Sequence, residues 1–261
     1  GAAMAVMMTL LSRLATDLQN WGSWEYGFVE LADRHSAVSS IMPQKKNPVA
    51  LEHLKAAAAM VQGAHHAAMA CTKNTAFADV NDAVTAVNEP VLDAALRSRR
   101  ILALFQEVMQ GLSLNKDRMA NAAREGFGTA TELADVIVRE TGLSFRMAHN
   151  IVAIVVRDAL AEGRNAESIS SAALDEAAMV LFGKPLHIAA EKLHAALDPA
   201  QNLVGRSLLG GPAPEAMAQM IARRREALTQ DRQSISAISQ RIADAHAACW
   251  AAAGGLVAAR P

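Results

Sequence analysis

Between residues 39 and 52 the chain gathers two hydroxyls, two lysines, two amides and a carboxylate. The stretch reads Ser39-Ser40-Ile41-Met42-Pro43-Gln44-Lys45-Lys46-Asn47-Pro48, with Glu52 four residues on. Asn is a preferred helix N-cap and Pro a preferred first helical residue, so Asn47-Pro48 predicts a helix start. A helix N-terminus offers N–H groups and a positive dipole end to an anion. Lys45 adds a full charge beside it. That set suits removal of a proton from the carbon next to a carboxylate. The resulting aci-carboxylate gathers two negative charges and needs positive groups in place before the reaction starts. The same field lowers the pKa of a serine hydroxyl, otherwise far too weak a base. Taken as residues alone, the stretch is also ordinary punctuation: a Ser-Ser pair before a Pro-containing turn and a helix start.

The surrounding sequence supplies long helices to position these groups. Residues 2–20 read as a helix, apolar nearly all round up to Leu11, which predicts burial on every side. Residues 25–46 keep no helical period and predict a long loop, of which 36–47 is the chemical part; long irregular loops are often functional. A second helix is expected from Asn47-Pro48 to about Cys71. A third is expected over 82–112, with Val84, Val87, Val91, Ala95, Leu102, Phe105, Met109 and Leu112 along one seam and a kink at Pro90. Beyond residue 113 the segments shorten. Thr129-x-x-Glu132 predicts a capping box opening a helix to 139. Gly142 ends that helix and Ser144 caps the next, to 162. Shorter helices are expected at 171–182 and 186–196, turns at Asp198-Pro199 and 210–212, and a polar outer helix at 214–252. The expected fold is all-α: a long-helix bundle part over 1–113 and a small C-terminal helical domain with a terminal helix over 114–261.

Composition agrees with helices. Hydrophobic residues make up 52% and aromatics only 4%, so strand formers are scarce while core material is ample. A net charge of -1 gives no basic excess for nucleic acid or an anionic membrane. The opening apolar segment has no positive n-region, so it does not read as a signal peptide. Ser12, Arg13, Thr16 and Asp17 interrupt it before it could cross a bilayer. A sequence opening inside an apolar helix is expected to lack an upstream region. Cys71 and Cys249 form no C-x-x-C pair and no ligand spacing with histidine, which argues against structural zinc and suits a reducing cytoplasm.

The string Ser39-Ser40-Ile41-Met42-Pro43-Gln44-Lys45-Lys46-Asn47-Pro48 resembles the signature loop of the fumarase/aspartase superfamily, and its Gln-Lys-Lys-Asn-Pro version resembles argininosuccinate lyase. The likeness extends to Leu11-Ser12-Arg13-Leu14-Ala15 and Asp17-Leu18 before Trp21, Tyr26-Gly27-Phe28-Val29, Asn88-Glu89-Pro90 with Asp93-Ala94, Gly126-Phe127 with Thr129-Ala130-Thr131-Glu132-Leu133-Ala134-Asp135, Phe145-Arg146 with Ala148-His149, and Gly210-Gly211 with Ala213-Pro214. It covers the chain to about residue 225 and corresponds to the family's central and C-terminal part.

That resemblance implies anti β-elimination of an N-succinyl substrate to fumarate and an amine or guanidine, arginine if the substrate is argininosuccinate. Ser39 would be the general base. Lys45 and Asn47 would hold the substrate carboxylate and stabilise the aci-carboxylate. Glu52 would orient a histidine from another subunit. Ser40, Met42, Gln44, Thr85 and Asn88 fall at substrate-binding positions. No metal or organic cofactor is implied. The expected partners are the small N-succinyl substrate and further copies of the chain in a homotetramer, with no nucleic acid and no membrane.

Three departures stand out. Val38 replaces the family's Gly ahead of the serine pair. Val80, Thr85 and Asn88 stand where argininosuccinate lyases carry a Tyr, a Gln and a Lys that contact substrate. The family's upstream Thr-His and Ser-Arg-Asn-Asp motifs are absent, so the general acid is expected from outside this chain. Two other readings remain open: another superfamily lyase such as a carboxymuconate cycloisomerase, and a non-catalytic helical assembly protein.

Overall fold

The computed structural model describes residues 1–38, 41–42 and 46–258, with side chains left out at 38, 82 and 256–258. The chain forms two compact units, Gly1–Ala122 and Ala123–Pro261. The division falls after the expected 113. Ser113 and Leu114 are tied back into the first unit by pairing with Glu30 and Val29, and Asn115 N–H donates to the Phe28 carbonyl at 2.9 Å.

The first unit is built on three long helices, α1 (Ala2–Trp21), α2 (Val49–Cys71) and α4 (Asn88–Gln110), with a short α3 (Asn81–Ala86) ahead of the last. The side-chain bonds Lys55–Gln19 and Gln62–Thr9 cross between α1 and α2 and show that the two run antiparallel. α2 lies against both other long helices. Its Leu51 and Leu54 bury with Ala15, Leu18, Phe105 and Val108. Its Ala58 and Val61 bury with Met8 and Ala94. Leu51, Leu54 and Val61 are essentially inaccessible, and burying each such side chain contributes about 1.5–3 kcal/mol.

α1 corrects its expectation. Ala5, Met8, Ala15 and Leu18 are buried, but Val6 is 63% and Leu10 57% exposed. Among the described residues nothing covers the apolar surface on the far side of α1. Leu92 on α4 is 61% exposed in the same way.

The expected helix over 82–112 is interrupted at Val87. Pro90 lacks the N–H that would bond the Ala86 carbonyl four residues back. The thiol of Cys71 approaches that carbonyl instead, at 3.7 Å. Val87 keeps helical dihedrals, φ -67° and ψ -31°, so the ladder breaks without an abrupt turn.

The expected irregular loop over 25–46 contains short strands. β1 (Val29–Glu30) pairs antiparallel with β4 (Ser113–Leu114), and β2 (Ala37–Val38) with β3 (Lys46–Asn47). A 3-10 turn, Asp33–His35, lies between β1 and β2. Upstream, the Arg118 guanidinium donates to the carbonyls of Trp24, Glu25 and Tyr26. Gly27 makes this approach possible. Its φ is +58°, and a Cβ there would lie 3.1 Å from Arg118 Nε.

The second unit packs α6 (Ala130–Thr141), α7 (Phe145–Ala161), α8 (Ser171–Phe182), α9 (Ala190–Leu197) and α10 (Pro199–Gly205). Leu133, Ile137, Ile151, Leu174 and Leu193 form the centre of its core. α5 (Lys116–Glu125) spans the division between the units. Ser144 and Ser170 cap α7 and α8 by accepting from Met147 and Ala173 N–H, and Gly142 closes α6 in the left-handed conformation.

The capping box at Thr129 does not form. Glu132 is engaged by Arg139 at 2.6 Å and Arg206 at 3.4 Å, so its carboxylate is held away from the helix start. α9 begins at Ala190 rather than 186. The N–H groups of Leu186 and His187 are instead taken by the Asp175 carboxylate, at 2.8 and 2.9 Å. α11 (Pro214–Ala258) is exposed along its described side chains from Ile221 onward.

Candidate active site

Of the residues expected to do chemistry, Asn47 and Glu52 lie at the start of α2. Ser39, Ser40, Gln44 and Lys45 lie outside the described residues. The residues that flank them are held by the β2–β3 ladder: Val38 is paired with Lys46, and Ala37 with Asn47. Asn47 is therefore a strand residue. It does not cap the helix as expected. Pro48 occupies the cap position, and its carbonyl accepts from Leu51 N–H at 2.9 Å and Glu52 N–H at 3.1 Å. The half-buried Asn47 sits one residue from the positive end of the 23-residue α2. Glu52 lies in the first turn and is exposed. Met42 is 43% exposed.

Lys46 is held by two carboxylates. Its ammonium lies 2.6 Å from Glu30 Oε1 and 2.7 Å from Asp33 Oδ1. Hydrogen bonds to Asp33 and then Glu30 hold the Lys46 pKa above the ordinary lysine range. The same hydrogen bond from Lys46 holds the Asp33 carboxyl below its usual range. Sequence reasoning gave Lys45 a role and left Lys46, Glu30 and Asp33 without one. The available signal was two acidic residues at 30 and 33, on the segment leading into a loop that returns through a lysine pair.

The 3-10 turn carrying Asp33 is seated on the C-terminal end of α4. A Cβ at Gly111 would lie 3.1 Å from Arg34 Nη2, 3.2 Å from Ala32 Cβ and 3.4 Å from His35 Cε1. His35 is buried there, its Nδ1 without a partner among the described residues.

Thr85 and Asn88 are not brought to the same place. Both are exposed and flank the α3–α4 break. Asn88 Nδ2 donates to the Val84 carbonyl at 2.9 Å. The Cys71–Ala86 contact fixes this break at the C-terminal end of α2, whereas Asn47 and Glu52 lie at its N-terminal end. A helix of 23 residues separates its ends by about 34 Å. Within one chain the two groups cannot touch one small substrate.

Among the described residues no three His, Cys, Asp or Glu side chains gather as a metal site would need, and no helix is long and apolar enough to cross a membrane.

Comparison with known proteins gives a consistent picture. The family described as argininosuccinate lyase C-terminal matches residues 127–204, and the lyase family matches residues 1–63. Argininosuccinate lyase 1 of Shouchella clausii is 35% identical over 244 residues, 94% of this chain and 49% of that protein. The argininosuccinate lyase of Methanoculleus marisnigri is 37% identical over 231 residues, 88% of this chain and 46% of that protein. The chain thus spans about half the length of the curated relatives it matches. Among solved structures, an EDDS lyase in complex with formate is 33% identical, with a TM-score of 0.80 over 92% of this chain and 48% of that one. A variant of that enzyme with bound fumarate matches equally. The class II fumarase of Schistosoma mansoni, 18% identical with a TM-score of 0.57 over 76% of this chain and 37% of that one, shares the fold. Over most of its length the chain is argininosuccinate-lyase-like, with the fold of the fumarase/aspartase superfamily.

Proposed function

We propose that the chain forms part of a C–N lyase that eliminates fumarate from an N-succinyl substrate. What carries this reading is the stretch 39–48 set directly ahead of α2, in a chain similar to argininosuccinate lyases over most of its length. In this account Ser39 takes the β-proton. The electron pair left on carbon moves into the neighbouring carboxylate as the aci form, which Lys45, Asn47 and the positive end of α2 stabilise. Collapse of that intermediate forms the fumarate double bond and breaks the C–N bond. The nitrogen leaves as an amine or guanidine after gaining a proton from a general acid. Ser40, Met42 and Gln44 contact the succinyl part, and Glu52 orients a histidine of another subunit. Thr85 and Asn88 contact the part of the substrate that varies between lyases.

The separation of Asn47 and Glu52 from Thr85 and Asn88 supports a site shared between copies of the chain. The uncovered apolar faces of α1 and α4 supply surface for such contacts. A homotetramer in the cytoplasm, acting without metal or organic cofactor, fits this reading.

The test is fumarate release, followed by ultraviolet absorbance. The chain is incubated with argininosuccinate and with other N-succinyl amines, alone and together with the upstream half of the Methanoculleus marisnigri enzyme. Turnover of at least one succinyl amine in the combined sample is the expected result. Absence of turnover with every substrate in both samples would overturn the proposal and leave an assembly role.

A further inference from the structure

Resting on that reading, we propose that Lys46 is a positioning residue and not a substrate ligand: its ammonium, clamped between Glu30 and Asp33, fixes β3 and so delivers Asn47 to the start of α2. A lysine has three N–H donors, and Lys46 spends two on protein carboxylates, at 2.6 and 2.7 Å. With both carboxylates ionised the cluster carries a net negative charge, which repels a succinyl dianion. Successive strand residues point to opposite faces, so turning Lys46 toward Glu30 and Asp33 turns Asn47 away from them.

The platform under the clamp is itself anchored. Glu30 belongs to β1, which is paired with β4. Asp33 belongs to the turn seated over Gly111. Across the ladder, Lys46 faces Val38, the residue before Ser39. The clamp therefore governs where Val38 and Lys46, the residues flanking 39–45, are held. The three side chains are largely solvent-accessible, and exposed ion pairs add little to global stability. Their effect belongs in the local equilibrium of the hairpin, where it alters kcat rather than the melting temperature.

The experiment uses the combined enzyme of the fumarate assay with Lys46→Met, Lys46→Arg and the double change Glu30→Gln/Asp33→Asn. Lys46→Met should lower kcat about fivefold, the scale of an exposed network, with KM changed less than twofold. Lys46→Arg should recover most of the loss. The Glu30→Gln/Asp33→Asn variant should reproduce it, and combining it with Lys46→Met should add nothing further. A tenfold rise in KM at unchanged kcat would make Lys46 a substrate ligand and overturn the proposal, as would unchanged kinetics. If the wild-type sample releases no fumarate, the elimination reading fails by itself. The clamp is then read by amide exchange at Ala37, Val38, Lys46 and Asn47. Faster exchange in Lys46→Met supports it, and equal exchange overturns it.

Discussion

Val38 and Lys46 face one another across the β2–β3 ladder, so the two residues that flank the 39–45 segment are fixed to each other by backbone. In the proposed elimination, with Ser39 as base and Lys45 as cation, flanking residues set in advance limit the conformations lost when substrate binds. The ladder is short, and the Lys46–Glu30–Asp33 clamp reinforces it from one side.

The clamp has a calculable pH window. Asp33 is held below its usual pKa by the hydrogen bond from Lys46. Its contribution is therefore present above the ordinary carboxylate range and is lost as pH falls through the lowered value. Lys46 is held above its usual pKa, so its contribution is complete below the ordinary lysine range and is lost as pH rises through the raised value. Amide exchange at Lys46 and Asn47, corrected for intrinsic rates, should stay flat from about pH 5 to 9. It should rise below about pH 4 and rise modestly in molar salt, which screens exposed pairs. A step near pH 7 would assign control of the hairpin to another group.

Gly27 and Gly142 separate two costs of adding a side chain. Both have positive φ, +58° and +72°. A Cβ at Gly142 meets nothing within 4 Å, whereas one at Gly27 meets Arg118 Nε at 3.1 Å. Gly142→Ala should cost about 1 kcal/mol, from backbone strain alone. Gly27→Ala should cost about 2 kcal/mol, because Arg118 must also leave the carbonyls it holds. Urea unfolding of each variant checks this, and equal losses would remove Arg118 from the explanation.

The proposed function assigns Thr85 and Asn88 to the choice among succinyl compounds. Neutral side chains stand where argininosuccinate lyases carry Gln and Lys. Replacing them as Thr85→Gln/Asn88→Lys should lower KM for argininosuccinate about tenfold or more in the combined enzyme, since a charge-assisted contact is worth about 1.5–3 kcal/mol. Asn88→Ala should change stability little, because the lost bond to Val84 is exposed. An unaltered KM would place substrate selection elsewhere.

The sequence made the helices legible where periodicity and caps agree. Ser144 and Gly142 act as expected, and 171–182 is a helix over that whole span. It was less legible where a tertiary partner competes for a local group. Glu132 answers to Arg139 and Arg206 instead of the helix start. Asn47 is drawn into a strand by its pairing with Ala37, ten residues away, a partner that local propensity does not see. The two-residue strands are too short for alternation to register. At the site, the residue types of 39–48 are what the proposed elimination rests on. The Lys46 clamp was hidden because Glu30 and Asp33 are near it only in space. The distance from Glu52 to Thr85 was hidden too, since sequence order says nothing of which end of α2 each group approaches.

The most direct measurement is fumarate release by the combined enzyme after Ser39→Ala, compared with wild type at saturating substrate. If a positive pocket at the start of α2 makes the Ser39 hydroxyl the base, kcat should fall by about 10²–10⁴-fold while the fold and the melting temperature are kept. A variant that turns over at the wild-type rate would contradict the account.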